Sequence, residues 1–267
     1  MPYDGFLNAR AIHSVTLVMV VDCETYHDAR FSYALTTAAV ARQRGLQCVV
    51  LNASGSDAVA RLFEIVGARV VATEKTGVGP LIREAICAGL SHSKFKDPIL
   101  FILGPEHYDL LRFVPLVAEP ILDGRGMVSF PSRTPASFET FPLHRIEHDR
   151  TGNELVASRF GYTLDAFLGA VAFTTAVAGY FLNYDAQSYG TADRLDALFV
   201  PPFLASKDGV PVVGVQVDFR FPPALQVVEN ASPHSAVRYK AFCGDCTESI
   251  LLLAAALERE QSRMAVS

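Results

Sequence analysis

The sequence predicts an α/β fold: a mostly parallel central sheet with helices on both faces, followed by an elaborated C-terminal half. Three observations predict it. Short, continuous apolar runs recur along roughly the first 130 residues, as expected of strands buried on both faces. Helical patterns separate these runs, the order that builds a parallel sheet. Glycines and capping residues stand at the changeovers.

The elements follow in order. "VTLVMVV" (Val15–Val21) is the first strand. After "DCETYHD", Phe31, Leu35 and Ala39 fall four apart on a helix that Gly45 stops. "CVVL" (Cys48–Leu51) is the second strand, and "NASGSD" is a turn that offers Ser56 or Asp57 as the next N-cap. Val59, Leu62, Phe63 and Val66 give that helix one apolar face. "RVVA" (Arg69–Ala72) is the third strand, and "EKTGVGP" leads into a helix with Ile82, Ile86 and Leu90 on one stripe. "ILFIL" (Ile99–Leu103) is the fourth strand, "HYDLLRFVPLVAEPILDG" a helix ending near Pro120, and "MVSF" (Met127–Phe130) the fifth strand.

The second half changes character. "AFLGAVAFTTAVAGYFL" (Ala166–Leu182) carries no charge over 17 residues. A membrane-spanning helix needs about 20 apolar residues, and this segment also lacks basic flanks, so it reads as a buried helix or a helix–strand pair. "VPVVGVQVDFRFP" (Val210–Pro222) reads as one more long strand, and "TESILLLAAALEREQ" (Thr247–Gln261) as an amphipathic C-terminal helix. With no internal repeat and no low-complexity linker, residues 1–267 form a single domain, divided at about residue 133 into a first half (13–133) and a second half (134–267).

Composition narrows the function. Half of the residues are apolar and 19% are charged, which suits a large core. The net charge is −5 and basic runs are short, which sets nucleic-acid binding aside. Cys48 and Cys87 lie in apolar runs and read as small core residues. Cys243 and Cys246 form a lone "CGDC" with no second pair to complete a zinc site. Five cysteines without a framework suit a reducing compartment. The first fourteen residues lack the basic-then-apolar order of a secretory leader. Together these predict a cytoplasmic protein without a membrane span.

In an open α/β sheet, ligands bind beyond the carboxyl ends of the strands. The loops there carry Asp22, Glu24, Tyr26, Asp28 and Arg30; Asn52, Ser54 and Ser56; Glu74 and Lys75; Glu106 and His107; and Ser132 and Arg133. The loop after the third strand stands out. Gly77 and Gly79 let backbone N–H groups approach an anion at a helix start, and Lys75 and Arg83 add charge-assisted contacts to a diphosphate. The same residues also read as a tight turn with Pro80 in the first helical turn. No Lys-Ser/Thr follows the second glycine, so this is not a P-loop.

The order of "DCETYHDAR", "GARVVATEKTGVGPLIREAI" and "ILFILGPEHYDLLRFVPLVAEPI" resembles the nucleotide-diphospho-sugar transferase (GT-A) fold, and more narrowly family 2-like glycosyltransferases. "SFETFP", Glu147 with Asn153, "LDAFLGAVAF", "YFLNYD" and "VDFRFPPALQVVE" are similar to the acceptor-side half of such proteins, so the resemblance spans roughly residues 13 to 230. It implies that the first half binds a nucleotide sugar. Its diphosphate would lie on Gly77, Gly79, Lys75 and Arg83, with Tyr26, Asp28, Arg30 and Arg133 also at the substrate. Where the family places an acidic Asp-x-Asp motif for Mn²⁺ or Mg²⁺, this chain has "GPEH", leaving Glu106 and His107 as the metal candidates. Glu147 or Asp165 would take the acceptor's proton. Asp165 also reads as an N-cap, and Glu106 as a helix cap.

Two other functions fit the same residues. Phe167, Phe173, Tyr180, Phe181 and Tyr184 are either core or the lining of an apolar pocket for another diphosphate, such as a prenyl diphosphate for a lyase or cyclase. Ile250, Leu251, Leu252, Leu253 and Leu257 give the C-terminal helix enough apolar surface to dock a second copy, as in a non-catalytic dimeric binding protein.

Overall fold

Seven strands form one sheet in the order β3-β2-β1-β4-β6-β5-β7. They are β1 (Val15–Val21), β2 (Gln47–Asn52), β3 (Arg69–Ala72), β4 (Ile99–Ile102), β5 (Val128–Arg133), β6 (Val171–Thr174) and β7 (Val212–Val217). The computed structural model describes the backbone of residues 5–23 and 28–266, and their side chains except at 5–8, 238, 240–246 and 260–266. Tyr26 therefore lies outside the described residues, as do the side chains of Cys243 and Cys246.

The helices of the first half are α1 (Gly5–Ile12), α2 (Ala29–Gln43), α3 (Asp57–Ile65), α4 (Val78–His92) and α5 (Val114–Leu122). Those of the second half are α6 (Pro135–Phe138), α7 (Leu143–Phe160), α8 (Ala178–Leu182), α9 (Ala186–Tyr189), α10 (Asp196–Lys207), α11 (Pro223–Ala231) and α12 (Pro233–Val266). None of the described helices is long and apolar enough to cross a membrane.

The sheet is mostly parallel, as its apolar strands require. β3, β2, β1 and β4 run parallel, and β7 runs parallel to β5. β6 is the exception and pairs antiparallel with both β4 and β5. It comes from the uncharged segment, which divides into a 3₁₀ turn, β6, a second 3₁₀ turn and α8. Because β6 reverses direction, the residues that enter it share an edge with the ends of the other strands.

Two apolar clusters flank the sheet. One joins alternate residues of β1, such as Leu17 and Met19, to Phe31, Phe63 and Leu110. The other joins Val18 and Leu100 to Ile82, Phe173, Phe199 and Leu253. Burial on both faces explains why the strands read as unbroken apolar runs. α4 lies close against the sheet because Gly89 has no side chain: a Cβ there would stand 2.6 Å from Val18 Cγ2.

Several details depart from the sequence expectation. The buried stripe of α2 is Phe31, Ala34, Ala38 and Ala41, one small residue to the side of the expected Leu35 and Ala39. Cys87 is exposed, because α4 turns Leu81, Ile82, Ala85 and Ile86 inward. The stretch after β4 begins as a 3₁₀ helix over Tyr108–Phe113, and α5 continues past Pro120 to Leu122. β7 stops at Val217, and the chain beyond it leaves the sheet to bury Phe219 and Phe221.

Candidate functional site

The carboxyl edge of β1, β2, β3, β4, β5 and β7 gathers the loops that the sequence singles out, together with the residues that lead into β6. Asp28 caps α2, its Oδ1 accepting the Arg30 N–H at 2.8 Å. The Arg30 guanidinium reaches across 199 residues of sequence to Glu229 on α11, with Nη2 2.9 Å from Oε1. Cys23, just past the end of β1, is buried; burial and, second, the neighbouring Asp28 push its thiol up to about 11, which leaves it no nucleophile at neutral pH.

A buried charged network occupies the β4–β5 part of this edge. Arg133, the last residue of β5, is its first centre. Its Nε donates to Asp165 Oδ2 at 2.6 Å, and Nη2 donates to Asp165 Oδ1 at 2.8 Å and Asp149 Oδ2 at 2.9 Å. The guanidinium lies 3.8 Å from the Phe138 ring centre and 4.4 Å from that of Phe141. Asn153 also donates to Asp165 Oδ1, at 2.8 Å, and Tyr239 donates to Asp149 Oδ1. Burial disfavours the Asp149 carboxylate, but Arg133, His148 and Tyr239 outweigh it and hold the group below its ordinary range.

Arg145 is the second centre. Its Nη2 donates to Glu229 Oε1 at 2.9 Å and its Nη1 to Glu106 Oε1 at 3.3 Å. The guanidinium sits between the rings of Phe221 and Tyr239. Burial pushes Glu106 up, but His107, Arg145 and Arg30 together bring it down to about 2. His107 is packed edge-on to Phe141, Phe219 and Phe221, and both ring nitrogens are buried without a hydrogen bond. Burial lowers its pKa to about 4, so the ring is neutral at pH 7.

The glycine of "GPEH" has a physical reason. A Cβ at Gly104 would stand 3.1 Å from His107 Nδ1 and 3.3 Å from Glu106 Oε2. The two side chains fold back over Gly104, and any side chain there would force them to give by a few tenths of an ångström.

The diphosphate candidates meet at the other end of the edge, where α4 begins. Gly77 is the N-cap with φ +87°, a conformation suited to glycine. Gly79 donates its N–H to the main-chain oxygen of Asp193 at 3.0 Å. Arg83 forks onto the same residue, with Nη1 2.7 Å from Oδ1 and Nη2 2.7 Å from Oδ2. Lys75 Nζ lies 3.5 Å from Glu84 on the exposed side of α4. Arg83 and Gly79 thus both hold Asp193, the one through its carboxylate and the other through its main-chain oxygen.

The candidate bases are not brought together. Glu147 is exposed, on the side of α7 opposite the buried Arg145, Asp149 and Gly152. Asp165 is buried and saturated by Arg133 and Asn153, and caps no helix through its side chain. Arg133 is equally enclosed and presents no surface to a substrate. The aromatic residues considered for an apolar pocket, Phe167, Phe173, Phe181 and Tyr184, are core, while Tyr180 donates to Asp208 at 2.8 Å. Ile250 and Leu253 of α12 are likewise buried within the chain, although Leu251 is exposed.

Sequence reasoning missed Asp193, Arg145 and Asp149. A partial signal existed for two of them: Arg145, Asp149 and Val156 fall on one face of α7 at helical spacing.

No protein-family model and no curated protein sequence matches this chain. Solved structures do. Glucosyl-3-phosphoglycerate synthase from Mycobacterium tuberculosis, in complex with Mn²⁺, UDP-glucose and phosphoglyceric acid, is 16% identical at a TM-score of 0.53, covering 91% of this chain and 85% of that one. The same enzyme with phosphoglyceric acid is 15% identical at a TM-score of 0.54, with coverage of 91% and 85%. Its complex with Mg²⁺ and UDP is 15% identical at 0.52, again with coverage of 91% and 85%. At such identity the likeness is one of architecture, and with the strand order above it identifies the chain as having the nucleotide-diphospho-sugar transferase (GT-A) fold.

Proposed function

We propose that this chain is a glycosyltransferase-like protein that takes a nucleotide-diphosphate sugar at the carboxyl edge of its sheet, with the diphosphate at the start of α4. The observation that carries this reading is the Arg83 fork. Arg83 already holds a carboxylate there, and beside it the Gly79 N–H at the N-terminus of α4 holds a main-chain oxygen of the same residue. Planar fork geometry suits phosphate as well as carboxylate, and a helix N-terminus favours negative charge. The solved structures of the same fold, which bind UDP and UDP-glucose, add support. Arg30 and Asp28 line the edge beside the nucleotide half, and Lys75 adds positive charge near the α4 entrance.

Those solved structures also contain Mn²⁺ or Mg²⁺. Here Glu106 and His107 offer one carboxylate and one imidazole from a single turn, and Arg145 already neutralises Glu106 from 3.3 Å. No group of three or more His, Cys, Asp or Glu that could hold a metal ion occurs among the described residues. This donor set fits a carboxylate neutralised by arginine better than a protein-held cation. Neither candidate base is free to act at this edge: Glu147 faces away and Asp165 is locked onto Arg133.

The test is thermal melting of the pure protein with UDP, GDP, their sugars, and farnesyl and geranyl diphosphates, each with and without Mn²⁺ or Mg²⁺. A ligand that binds only the native state raises Tm. A rise with a nucleotide that disappears in Arg83→Ala supports the proposal. A rise with prenyl diphosphates alone moves the function to isoprenoid chemistry, and no rise with any of them refutes the diphosphate site.

A further inference from the structure

Asp193 closes the α4 entrance from within. Among the described residues it is the non-glycine position with positive φ, at +54°. Aspartate tolerates this left-handed conformation better than most residues. The conformation turns both the carboxylate and the main-chain oxygen toward α4, one to Arg83 and the other to Gly79. Gly79 is needed for this approach, because a Cβ there would stand 2.5 Å from the Asp193 main-chain oxygen.

The flanks of Asp193 are fixed. Tyr184 donates to Asp196 Oδ2 at 2.8 Å, its hydroxyl is 2.5 Å from Thr191 Oγ1, and the Arg194 N–H donates to Asp196 Oδ1 at 2.6 Å. Between these anchors, Asp193 forms the tip of a short strap. The tip and Arg83 are both partly exposed, 33% and 22% at the side chain. Water weakens an ion pair at such a surface, so a better-charged ligand can displace it. Asp196 and Asp185 also act on Arg83 at longer range. A diphosphate that entered while Asp193 stayed would therefore meet like charge on several sides.

We propose that Asp193 is a built-in competitor for the diphosphate: the strap of residues 191–195 seals the α4 entrance in the free protein and swings out when a diphosphate takes the Arg83 fork and the Gly79 N–H. The inference rests on the reading of this entrance as a diphosphate site. A backbone change centred on Asp193 suffices to open it, while Tyr184 and Asp196 keep the strap's base in place.

The experiment is calorimetric titration of the full chain with inorganic pyrophosphate, paired with amide hydrogen exchange. Asp193→Asn removes the charge and keeps a residue that tolerates the left-handed turn. It is expected to bind pyrophosphate about five- to tenfold more tightly than wild type, because the competing closed state is weakened. Arg83→Ala is expected to abolish binding with either residue at 193. In the wild type, pyrophosphate should speed exchange in residues 191–195, a readout that stands even where the Asn variant folds poorly. Equal affinity of wild type and Asp193→Asn, with Arg83→Ala weakened, overturns the competitor and leaves the diphosphate site standing. Bound pyrophosphate with residues 191–195 still protected does the same. Binding that Arg83→Ala does not change, or no binding by wild type or Asp193→Asn, overturns the diphosphate site and the competitor with it.

Discussion

Arg133 and Asp165 meet in a two-point fork at the carboxyl edge, with the arginine side chain wholly removed from solvent. The pair joins the end of β5 to the entry of β6, and Asp149 adds α7 to the same centre. Removing one partner of such a buried pair strands the other charges. Arg133→Met is therefore expected to cost about 3–5 kcal/mol of unfolding free energy. Asp165→Asn should cost less, since Asp149 still neutralises the arginine. Urea unfolding measures both, and a loss below about 1 kcal/mol for Arg133→Met would show that the network is not held by charge pairing.

The Glu106–His107 turn makes acid stability a two-stage property. His107 is lowered from 6.5 to about 4 by burial, so between these values the unfolded chain binds the proton more readily. Stability is full above about pH 6.5 and falls toward pH 4, by on the order of 3 kcal/mol from this group. His144 is lowered too, chiefly by burial, and adds in the same direction. Glu106 is lowered from 4.5 to about 2, so its contribution is present above about pH 4.5 and lost as pH falls toward 2. His107→Phe keeps an aromatic ring among Phe141, Phe219 and Phe221, and should flatten the upper stage; because the His107 charge also lowers Glu106, the lower stage should shrink as well, leaving the part that Arg145 and Arg30 supply. Unfolding free energy measured from pH 7 to pH 3 checks this, and an unchanged slope between pH 6.5 and 4 would contradict it.

The parallel half of the sheet was legible because its strands are short apolar runs punctuated by glycine and caps, as at Val15–Val21 and Gly45. β6 was hidden inside a longer uncharged stretch, where periodicity does not separate strand from buried helix. The length of β7 was overestimated because Phe219 and Phe221 keep the alternation of a strand after the chain has left the sheet. The α4 entrance was legible as a turn that gathers Gly77, Gly79 and Arg83. Its occupant was not, since Arg83 and Asp193 are 110 positions apart. The buried network was illegible for the same reason: Arg145 finds Glu106 at a separation of 39 and Glu229 at 84. Glu147 reads as a candidate base, but helix rotation turns it outward and Asp149 inward.

α7 reaches the edge only because Gly152 lets it settle on Phe167. A Cβ at this position would stand 2.8 Å from Phe167 Cδ2 and nearer still to other ring atoms. Gly152→Ala is expected to lose about 1–3 kcal/mol through overpacking, despite alanine's better helix propensity. Adding Phe167→Leu should recover part of that loss, so the double variant is more stable than the sum of the single changes predicts. Strict additivity in urea unfolding would place the strain elsewhere.

The C-terminal helix offers a contrast between neighbouring residues. Ile250 and Leu253 are fully buried against the core that includes Phe199, while Leu251 is 42% exposed. Their positions show α12 spending its main apolar stripe on its own chain, where a docking helix would leave that stripe outward. Ile250→Ala and Leu253→Ala should each cost about 2–5 kcal/mol. Leu251→Ser should stay within about 0.5 kcal/mol, as surface changes do. The same three variants, followed by light scattering, separate a packing role from an association role. If Leu251→Ser lowers the mass in solution or melts the protein as deeply as Leu253→Ala, the exposed side of α12 is an interface between copies. If only the buried pair matters and the mass is unchanged, α12 is a structural brace for α7 and α10.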